Sequence, residues 1–195
     1  MRILKSIYLT TWFFALLIGV AVVFVLAFLY PFLFVIAQLC LAGFVGLVLV
    51  ETLLLFLNKT PFKGKRIVMN PLSLGDDNKI RIVVTNHFKF PVRAVIYDNP
   101  PHQLQLRDLH FTFLIMPNDA KEVTYDVHPT ERGVFKFGKV NVFSSVLVHL
   151  VQRKVELNLE EDVAVHPSIL QMKKMELKVF AQTANTGIKK IRRLG

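Results

Sequence analysis

The residues of this chain that could perform chemistry are few, and they are scattered. No two histidines stand at helical spacing, and no cysteine or glutamate completes a metal-binding set around any of them; the histidines are His87, His102, His110, His128, His149 and His166. Ser144-Ser145 lacks the Gly-x-Ser-x-Gly context of a nucleophile elbow, and the chain has no glycine-rich phosphate loop. Acidic side chains fall in segments that predict solvated turns: Asp76-Asp77, Asp98 and Glu160-Glu161-Asp162. The sequence therefore predicts no catalytic residue, no cofactor-binding residue and no metal ligand, and a protein that is not an enzyme.

Two polar side chains lie inside a long apolar segment, where such residues are often functional. Gln38 is the one strongly polar side chain deep in that segment, and Glu51 is the one ionisable group near its end. An acid in this position can serve as a proton or ion site. It can equally reach the aqueous interface or pair with nearby Lys59 or Lys63. The sequence favours this second, structural role.

The apolar segment predicts a membrane-spanning helical hairpin. No charged residue occurs from Ser6 to Val50, and the run is about twice the roughly 20 residues that one helix needs to cross a bilayer. Tyr30-Pro31 interrupts it near the middle, because proline lacks an amide donor and disfavours helix in the residue before it. We predict a hairpin over residues 11–58, with helices at about 11–29 and 32–58, preceded by an N-terminal segment of residues 1–10. Cleaved signal peptides have a much shorter apolar region, and Leu39-Cys40 lacks the small residue of a lipoprotein signal.

The charge distribution predicts the orientation of this hairpin. The formal net charge is +10, but residues 67–167 carry eleven basic against twelve acidic side chains and are nearly neutral. Basic residues flank the helices and are absent from the connecting turn: Arg2, Lys5, Lys59, Lys63, Lys65 and Arg66. Since such residues remain cytoplasmic, we expect both termini and the soluble domain in the cytoplasm, with the hairpin in a cell membrane. The single cysteine, Cys40, agrees with a reducing compartment, and a nearly neutral domain argues against nucleic-acid binding.

After Arg66 the pattern changes to short alternating runs separated by turn residues, which predicts an all-β antiparallel sandwich of the immunoglobulin-like type over residues 64–167. The predicted strands are Arg66–Met69, Lys79–Asn86, Val92–Tyr97, Phe111–Met116, Glu122–Val127, Gly133–Phe137, Val140–Phe143, Lys154–Leu159 and Val163–His166. The apolar phase shifts around Gly138-Lys139, which predicts a bulge or a tight turn there. We expect Gly133 and Gly138 to be required by the backbone.

In the helices, small residues predict close packing of the two helices of the hairpin: Ala37, Ala42, Gly43 and Gly46.

Residues 168–195 form a basic tail with seven basic side chains against one acidic side chain. An apolar stripe through Ile169, Leu170, Met172 and Met175 predicts that the tail begins as a helix. Two interpretations remain open. The tail could lie on anionic lipid, or it could connect the sandwich to a further domain. We favour the connector.

Several local strings and their order resemble the bacterial membrane proteins that contain the domain of unknown function 58. The most specific match is Arg132-Gly133-Val134-Phe135-Lys136-Phe137-Gly138. The others are the hairpin with Pro31 at its turn, Val84-Thr85-Asn86, Asp98-Asn99-Pro100-Pro101, Tyr125-Asp126-Val127-His128-Pro129, and Val163-Ala164-Val165-His166-Pro167, where the family commonly shows Val-Tyr-Pro. In that family a von Willebrand A-like domain follows the sandwich. This sequence ends where that domain's signature would begin, so we expect it to represent the N-terminal half of such a protein.

The resemblance implies protein partners, namely MoxR-type AAA+ ATPases and von Willebrand A proteins, in addition to membrane lipid. We therefore expect a non-enzymatic, membrane-anchored scaffold with no small-molecule substrate and no cofactor. Two alternatives remain open: a small transport or membrane-enzyme subunit that acts through Gln38 and Glu51, and a truncated fragment without function.

Overall fold

The computed structural model describes residues 6–167, 173, 175 and 177–180. Two helices precede a β-sandwich: α1 spans Thr11–Leu29 and α2 spans Leu33–Phe56. The strands are β1 Ile7–Leu9, β2 Phe62–Ile67, β3 Leu72–Leu74, β4 Asn78–Asn86, β5 Val92–Tyr97, β6 His110–Ile115, β7 Ala120–Val127, β8 Gly133–Phe137, β9 Val140–Ser145, β10 Val151–Leu157 and β11 Glu161–Pro167.

The two helices form a tight antiparallel hairpin, and both are long and apolar enough to cross a membrane. The chain reverses at Tyr30-Pro31, where the Leu33 amide donates to the Tyr30 carbonyl at 2.9 Å. Ala27 and Ala37 are buried between the helices near the turn. The predicted packing role of the glycines is wrong, because a Cβ built on Gly43 or Gly46 meets no atom within 4 Å. Alanines and aromatic pairs make the contact instead; Phe13 and Phe44, for example, lie with ring centroids 5.2 Å apart.

The soluble part is a β-sandwich, as predicted. One layer is a five-stranded sheet in the order β1-β10-β9-β5-β6, and two three-stranded sheets, β2-β4-β7 and β3-β11-β8, complete the fold. The strand pairs are antiparallel except β3 with β11. In most of the strands alternating side chains point into one core; in β4, for example, Ile80, Ile82 and Val84 are fully buried. This alternation is what made most of the strands visible in the sequence.

The clearest departure from the predicted architecture is at the N-terminus. Ile7–Leu9 is strand β1, paired with Arg153, Gln152 and Val151 of β10. The described part of the predicted N-terminal segment 1–10 therefore contributes a strand to the sandwich. The sandwich is therefore built from two separate parts of the chain: β1 before the hairpin, and the strands from Phe62 onward after it. Three apolar residues that run directly into a helix carry no alternation that would separate them from it.

The Gly138-Lys139 connection also differs from its predicted form. β8 pairs with β11 and β9 pairs with β5 and β10, so these two residues carry the chain from one sheet to another, and no bulge between paired strands is involved. The change of sheet explains the shift of the apolar phase, since the two strands bury their side chains from opposite layers.

We predict that Gly133→Ala destabilises the protein by about 1–3 kcal/mol, the usual cost of a strained backbone residue. Gly133 has a φ of +145°, a conformation that side chains with a Cβ rarely adopt. The thermal midpoint of the full chain in detergent measures the effect. Val134→Ala at the adjacent exposed position is the matched control and should be nearly neutral. An unchanged midpoint for Gly133→Ala would show that this backbone conformation is not required.

Gly138 is constrained by a close approach and not by its φ angle. A Cβ at this position would lie 3.3 Å from the Asn99 carbonyl oxygen, which accepts a hydrogen bond from the Gly138 amide.

Most of the predicted tail, including the stripe at Ile169, Leu170 and Met172, lies outside the described residues. The described tail residues, 173, 175 and 177–180, are helical and exposed.

Candidate functional site at the junction of hairpin and sandwich

Glu51 is the central residue of the contact between the hairpin and the sandwich. Its side chain is fully buried. Oε1 accepts a hydrogen bond from the Val148 amide at 2.7 Å, and Oε2 accepts from the amides of Leu150 and Val151 at 2.9 and 3.1 Å. The expectation that Glu51 pairs with Lys59 or Lys63 is therefore wrong, because the carboxylate is satisfied by backbone donors. A carboxylate with both oxygens occupied in this way is a structural clamp.

The segment that receives Glu51 is the connection between β9 and β10, residues 146–150, which we call the basal loop. Leu147 and His149 both have positive φ angles, 49° and 60°, and the His149 amide donates to the Val146 carbonyl at 2.9 Å. This turn aims the amides of Val148, Leu150 and Val151 at one point, an arrangement that binds anions. Left-handed backbone is costly for residues with a Cβ and persists only where its surroundings enforce it. Glu51 supplies that constraint.

The start of α1 is fastened to the same loop. The Thr10 amide donates to the Leu150 carbonyl at 3.1 Å, and the Thr10 hydroxyl donates to the His149 and Leu150 carbonyls. Because Thr10 immediately precedes α1, the basal loop lies level with the beginning of that helix. Both helices of the hairpin are thus held by four consecutive residues of the sandwich, Val148 to Val151.

Arg153 of β10 secures the end of α2. Its guanidinium Nη1 donates to the carbonyls of Leu55 and Asn58, at 2.5 and 2.8 Å. The guanidinium carbon Cζ lies 4.6 Å from the centroid of the Phe56 ring. A helix leaves its last carbonyls unpaired, and a cation there also interacts favourably with the helix dipole. Partial burial lowers the pKa of the Arg153 guanidinium from its ordinary value. Arg153 is therefore the cap of α2, supplied from the other domain.

Replacing Arg153 with methionine keeps an apolar stem but removes both donors, and we expect a loss of about 1–3 kcal/mol. Hydrogen exchange in the full chain should show faster opening of the last turn of α2, and the thermal midpoint should fall. Arg132→Met, at an exposed arginine directly before β8, is the control. Equal exchange of the α2 terminus in wild type and Arg153→Met would contradict the capping role.

Two asparagines extend the junction on the side of β4. Asn86 is fully buried; its amide group donates to the carbonyls of Phe90, Ile115 and Met116, and its oxygen accepts from the Phe88 amide at 2.9 Å. Asn58, just after α2, donates to the His87 carbonyl at 2.9 Å. The loop from His87 to Pro91 is therefore held on one side by the sandwich and on the other by the end of α2.

A second buried polar cluster lies inside the sandwich, away from the hairpin. Arg66 forms a buried ion pair with Asp98, and the Tyr125 hydroxyl donates to the other oxygen of the same carboxylate. Arg66 also donates to the carbonyls of Gly138 and Leu159 at 3.0 and 2.6 Å. Burial, followed by the adjacent Asp98 charge, raises the pKa of Tyr125 well above its ordinary value.

The Arg66–Asp98–Tyr125 cluster corrects two expectations. Asp98 is buried and does not lie in a solvated turn. Arg66 is also buried, so its charge is not displayed at the flank of the hairpin. The cluster joins β2, the residue after β5, and β7, and its groups face one another in the core. Its geometry indicates a structural role.

The remaining residues considered for chemistry stay apart. Within the described residues, no group of three or more histidine, cysteine, aspartate or glutamate side chains could hold a metal. Ser144 is buried and donates to the Arg153 carbonyl at 3.1 Å, as part of the sheet. His128 contacts Asp77 at 3.1 Å on the surface. Gln38 is exposed on α2, distant in sequence and along the helix from Glu51, so the two do not form one site.

Comparison with known proteins supplies structural matches of low similarity and no family. No protein-family model matches the chain, and no curated protein matches it. Among solved structures, the CARDB domain of a Pyrococcus furiosus protein is 15% identical with a TM-score of 0.36, over 54% of this chain and 94% of that one. The PapD-like domain 7 of human CEP192 is 13% identical with a TM-score of 0.39, over 55% of this chain and 87% of that one. A β-glucosidase from Listeria innocua is 12% identical with a TM-score of 0.30, over 55% of this chain and 16% of the enzyme. None of these similarities carries a function to this chain.

The sequence contained one usable signal for the junction. Glu51 is the single acid of the apolar segment, and a buried charge must find partners. Arg153 gave no such signal, because it stands beside Lys154 at the edge of the strand predicted over Lys154–Leu159, where a basic residue is expected to be solvated. The basal loop, Val-Leu-Val-His-Leu, contains no glycine or proline that would mark a turn.

Proposed function

We propose that this chain is a non-enzymatic, membrane-anchored scaffold that holds its β-sandwich in a fixed orientation at the cytoplasmic face of a bacterial inner membrane. The observation that carries the proposal is the junction. Glu51, Arg153 and Thr10 fasten both helices to the basal end of the sandwich. A flexible linker would suffice if the sandwich only had to be tethered. A rigid junction suits a protein that presents a defined surface to partners.

The anchoring role rests on the dimensions and exposure of the hairpin. Only 6% of the most apolar window of each helix is buried, so their side chains require an apolar solvent. Trp12 and Tyr30, 65% and 55% exposed, stand at opposite ends of α1. Eighteen residues of helix separate them by about 27 Å, close to the thickness of a hydrocarbon core. Aromatic residues at both boundaries are typical of spanning helices.

The orientation follows from the basic residues after α2, and we expect a cytoplasmic sandwich. Lys59, Lys63 and Lys65 are exposed, and the Tyr30-Pro31 turn carries no charge. A reporter that is active only in the cytoplasm, fused after Gly195, should be active, whereas a reporter that requires export should be silent. Adding positive charge near the turn, with Phe28→Lys and Phe32→Lys, provides a comparison in which the charge difference between the two ends of the hairpin is smaller. Activity of the exported reporter in the unaltered protein would overturn the topology.

The partners proposed for the scaffold are proteins. The resemblance to the domain of unknown function 58 proteins suggests a MoxR-type AAA+ ATPase and von Willebrand A proteins. The nearly neutral sandwich gives no support for nucleic acid. The main alternative, a transport or membrane-enzyme subunit acting through the helices, is less well supported because both oxygens of Glu51 are occupied by amide donors.

A domain exchange separates the two roles. The variant is expressed in native membranes, with residues 12–45 replaced by an unrelated hairpin. It keeps Glu51, the end of α2 and the whole sandwich. Quantitative co-purification should then recover the same ATPase partner with the wild-type chain and with the exchange variant. Recovery that depends on the native helices, or none of an AAA+ ATPase with either chain, would contradict the proposed scaffold.

A further inference from the structure

The base of the sandwich contains an apolar groove beside α2. It consists of two clefts of about 530 and 510 Å³. Both clefts are lined by Leu54 of α2 and Phe90 of the loop after β4, so these two side chains form the ridge between them. We call the two clefts together the basal groove. Its volume is that of a small-molecule site.

The walls and rim of the basal groove differ in character. The walls are mainly apolar, with Leu57 and Phe88 on one side of the ridge and Leu114 and Leu147 on the other. The rim carries Lys89 in the first cleft and Arg93 in the second, and no aspartate or glutamate lines either cleft. Both cations are exposed, and neither belongs to a salt bridge among the described residues. An apolar groove whose charged lining residues, Lys89 and Arg93, are both basic is complementary to an anionic amphiphile.

The position of the groove along the hairpin narrows the choice of amphiphile. The basal loop is bonded to Thr10, directly before α1, and therefore lies where the apolar span of that helix begins. Leu147 and Val148 at the tip of the loop are 63% and 44% exposed. Leu54 is about one turn beyond Glu51 toward the sandwich. The groove thus opens where acyl chains give way to headgroups if the hairpin spans a bilayer.

We propose that the basal groove binds an anionic phospholipid, with acyl chains against Leu54 and Phe90 and the phosphate at Lys89 and Arg93. This inference rests on the proposed membrane anchoring. The bound lipid fills the space between α2 and the loop from His87 to Pro91 and seats the sandwich on the bilayer surface. Each basic residue near an anionic surface contributes on the order of 1 kcal/mol, so the two together favour an anionic over a zwitterionic headgroup.

The test uses the full chain, purified in mild detergent, and native mass spectrometry with phosphatidylglycerol and phosphatidylcholine as probes. The wild type should bind one phosphatidylglycerol with saturation and prefer it to phosphatidylcholine. Lys89→Gln with Arg93→Gln should weaken phosphatidylglycerol binding about thirtyfold, the effect of removing two such charges. Lys79→Gln with Lys136→Gln, exposed lysines on other strands, is the matched control and should bind like wild type.

Three results would overturn the proposal: equal binding of the two lipids, an equal loss in the control variant, or unchanged binding when Lys89 and Arg93 are removed. Extraction of membranes at alkaline pH distinguishes failure of the lipid site from failure of the proposed membrane anchor. A chain that stays in the membrane but fails the lipid test retains its anchor and lacks the lipid site. A chain released by alkali lacks the anchor, and the proposed function fails with it.

Discussion

Replacing Glu51 with alanine is expected to destabilise the protein by about 3–5 kcal/mol and to free the sandwich from the hairpin. The substitution leaves three backbone amides, those of Val148, Leu150 and Val151, without the acceptor that they now share. A buried donor without a partner costs about 1–3 kcal/mol, and the positive φ angles of the basal loop lose their constraint. Hydrogen exchange of the Leu150 and Val151 amides in the full chain should accelerate together with a fall in the thermal midpoint.

Glu51→Gln separates a clamp from a proton carrier. Glutamine preserves the shape and can keep its oxygen on the Leu150 and Val151 amides, but its NH₂ group then faces the Val148 amide, which is also a donor, so we expect a loss of about 1–3 kcal/mol, smaller than that of alanine. Gln38→Ala, at an exposed polar residue of the same helix, is the control and should leave the midpoint and the exchange unchanged. A Glu51→Gln protein with wild-type stability and protection would contradict the clamp.

The second large effect is expected in the Arg66–Asp98–Tyr125 cluster. Removing one partner of a buried ion pair leaves an uncompensated charge and costs about 3–5 kcal/mol. We therefore expect this loss for Asp98→Leu alone and for Arg66→Met alone. The variant that combines Asp98→Leu with Arg66→Met should lose much less stability than the sum of the two single losses, because no buried charge is left.

A surface ion pair provides the comparison. Arg81 and Glu122 lie 3.5 Å apart with about half of each side chain exposed, and Glu122→Gln should cost less than about 1 kcal/mol. Denaturation of the full chain in detergent measures all four proteins. If Asp98→Leu is no worse than Glu122→Gln, the buried pair does not hold the sheets as described.

The sequence contained the information for most of the elements. Continuous apolar character and Tyr30-Pro31 predicted both helices, and alternation predicted β5 and β8 with the bounds that the structure has. β1 and β3, each three residues long, are too short to establish a period. β2 begins at Phe62, earlier than predicted, because Gly64 and the lysines around it obscure its alternation.

The junction could not be predicted because its parts are distant in sequence and one side of it is backbone. Glu51 reaches amides nearly a hundred positions later, and an amide carries no residue-specific signal. Asp98 looked like a turn residue beside Asn99-Pro100-Pro101, and only the fold brings Arg66 and Tyr125 to it. The resemblance to the domain of unknown function 58 proteins, with its implied partners, stays a prediction.

The most direct test of the account is the distribution of distances between the hairpin and the sandwich. Spin labels at Phe28, near the turn end of α1, and at Lys136, an exposed position on β8, would be introduced into a Cys40→Ser background and measured by double electron–electron resonance in lipid nanodiscs. A junction held by Glu51, Thr10 and Arg153 predicts one narrow distance distribution, broadened by Glu51→Ala. A broad distribution in the otherwise unaltered protein would show that the sandwich moves freely on its anchor, and would contradict the rigid scaffold.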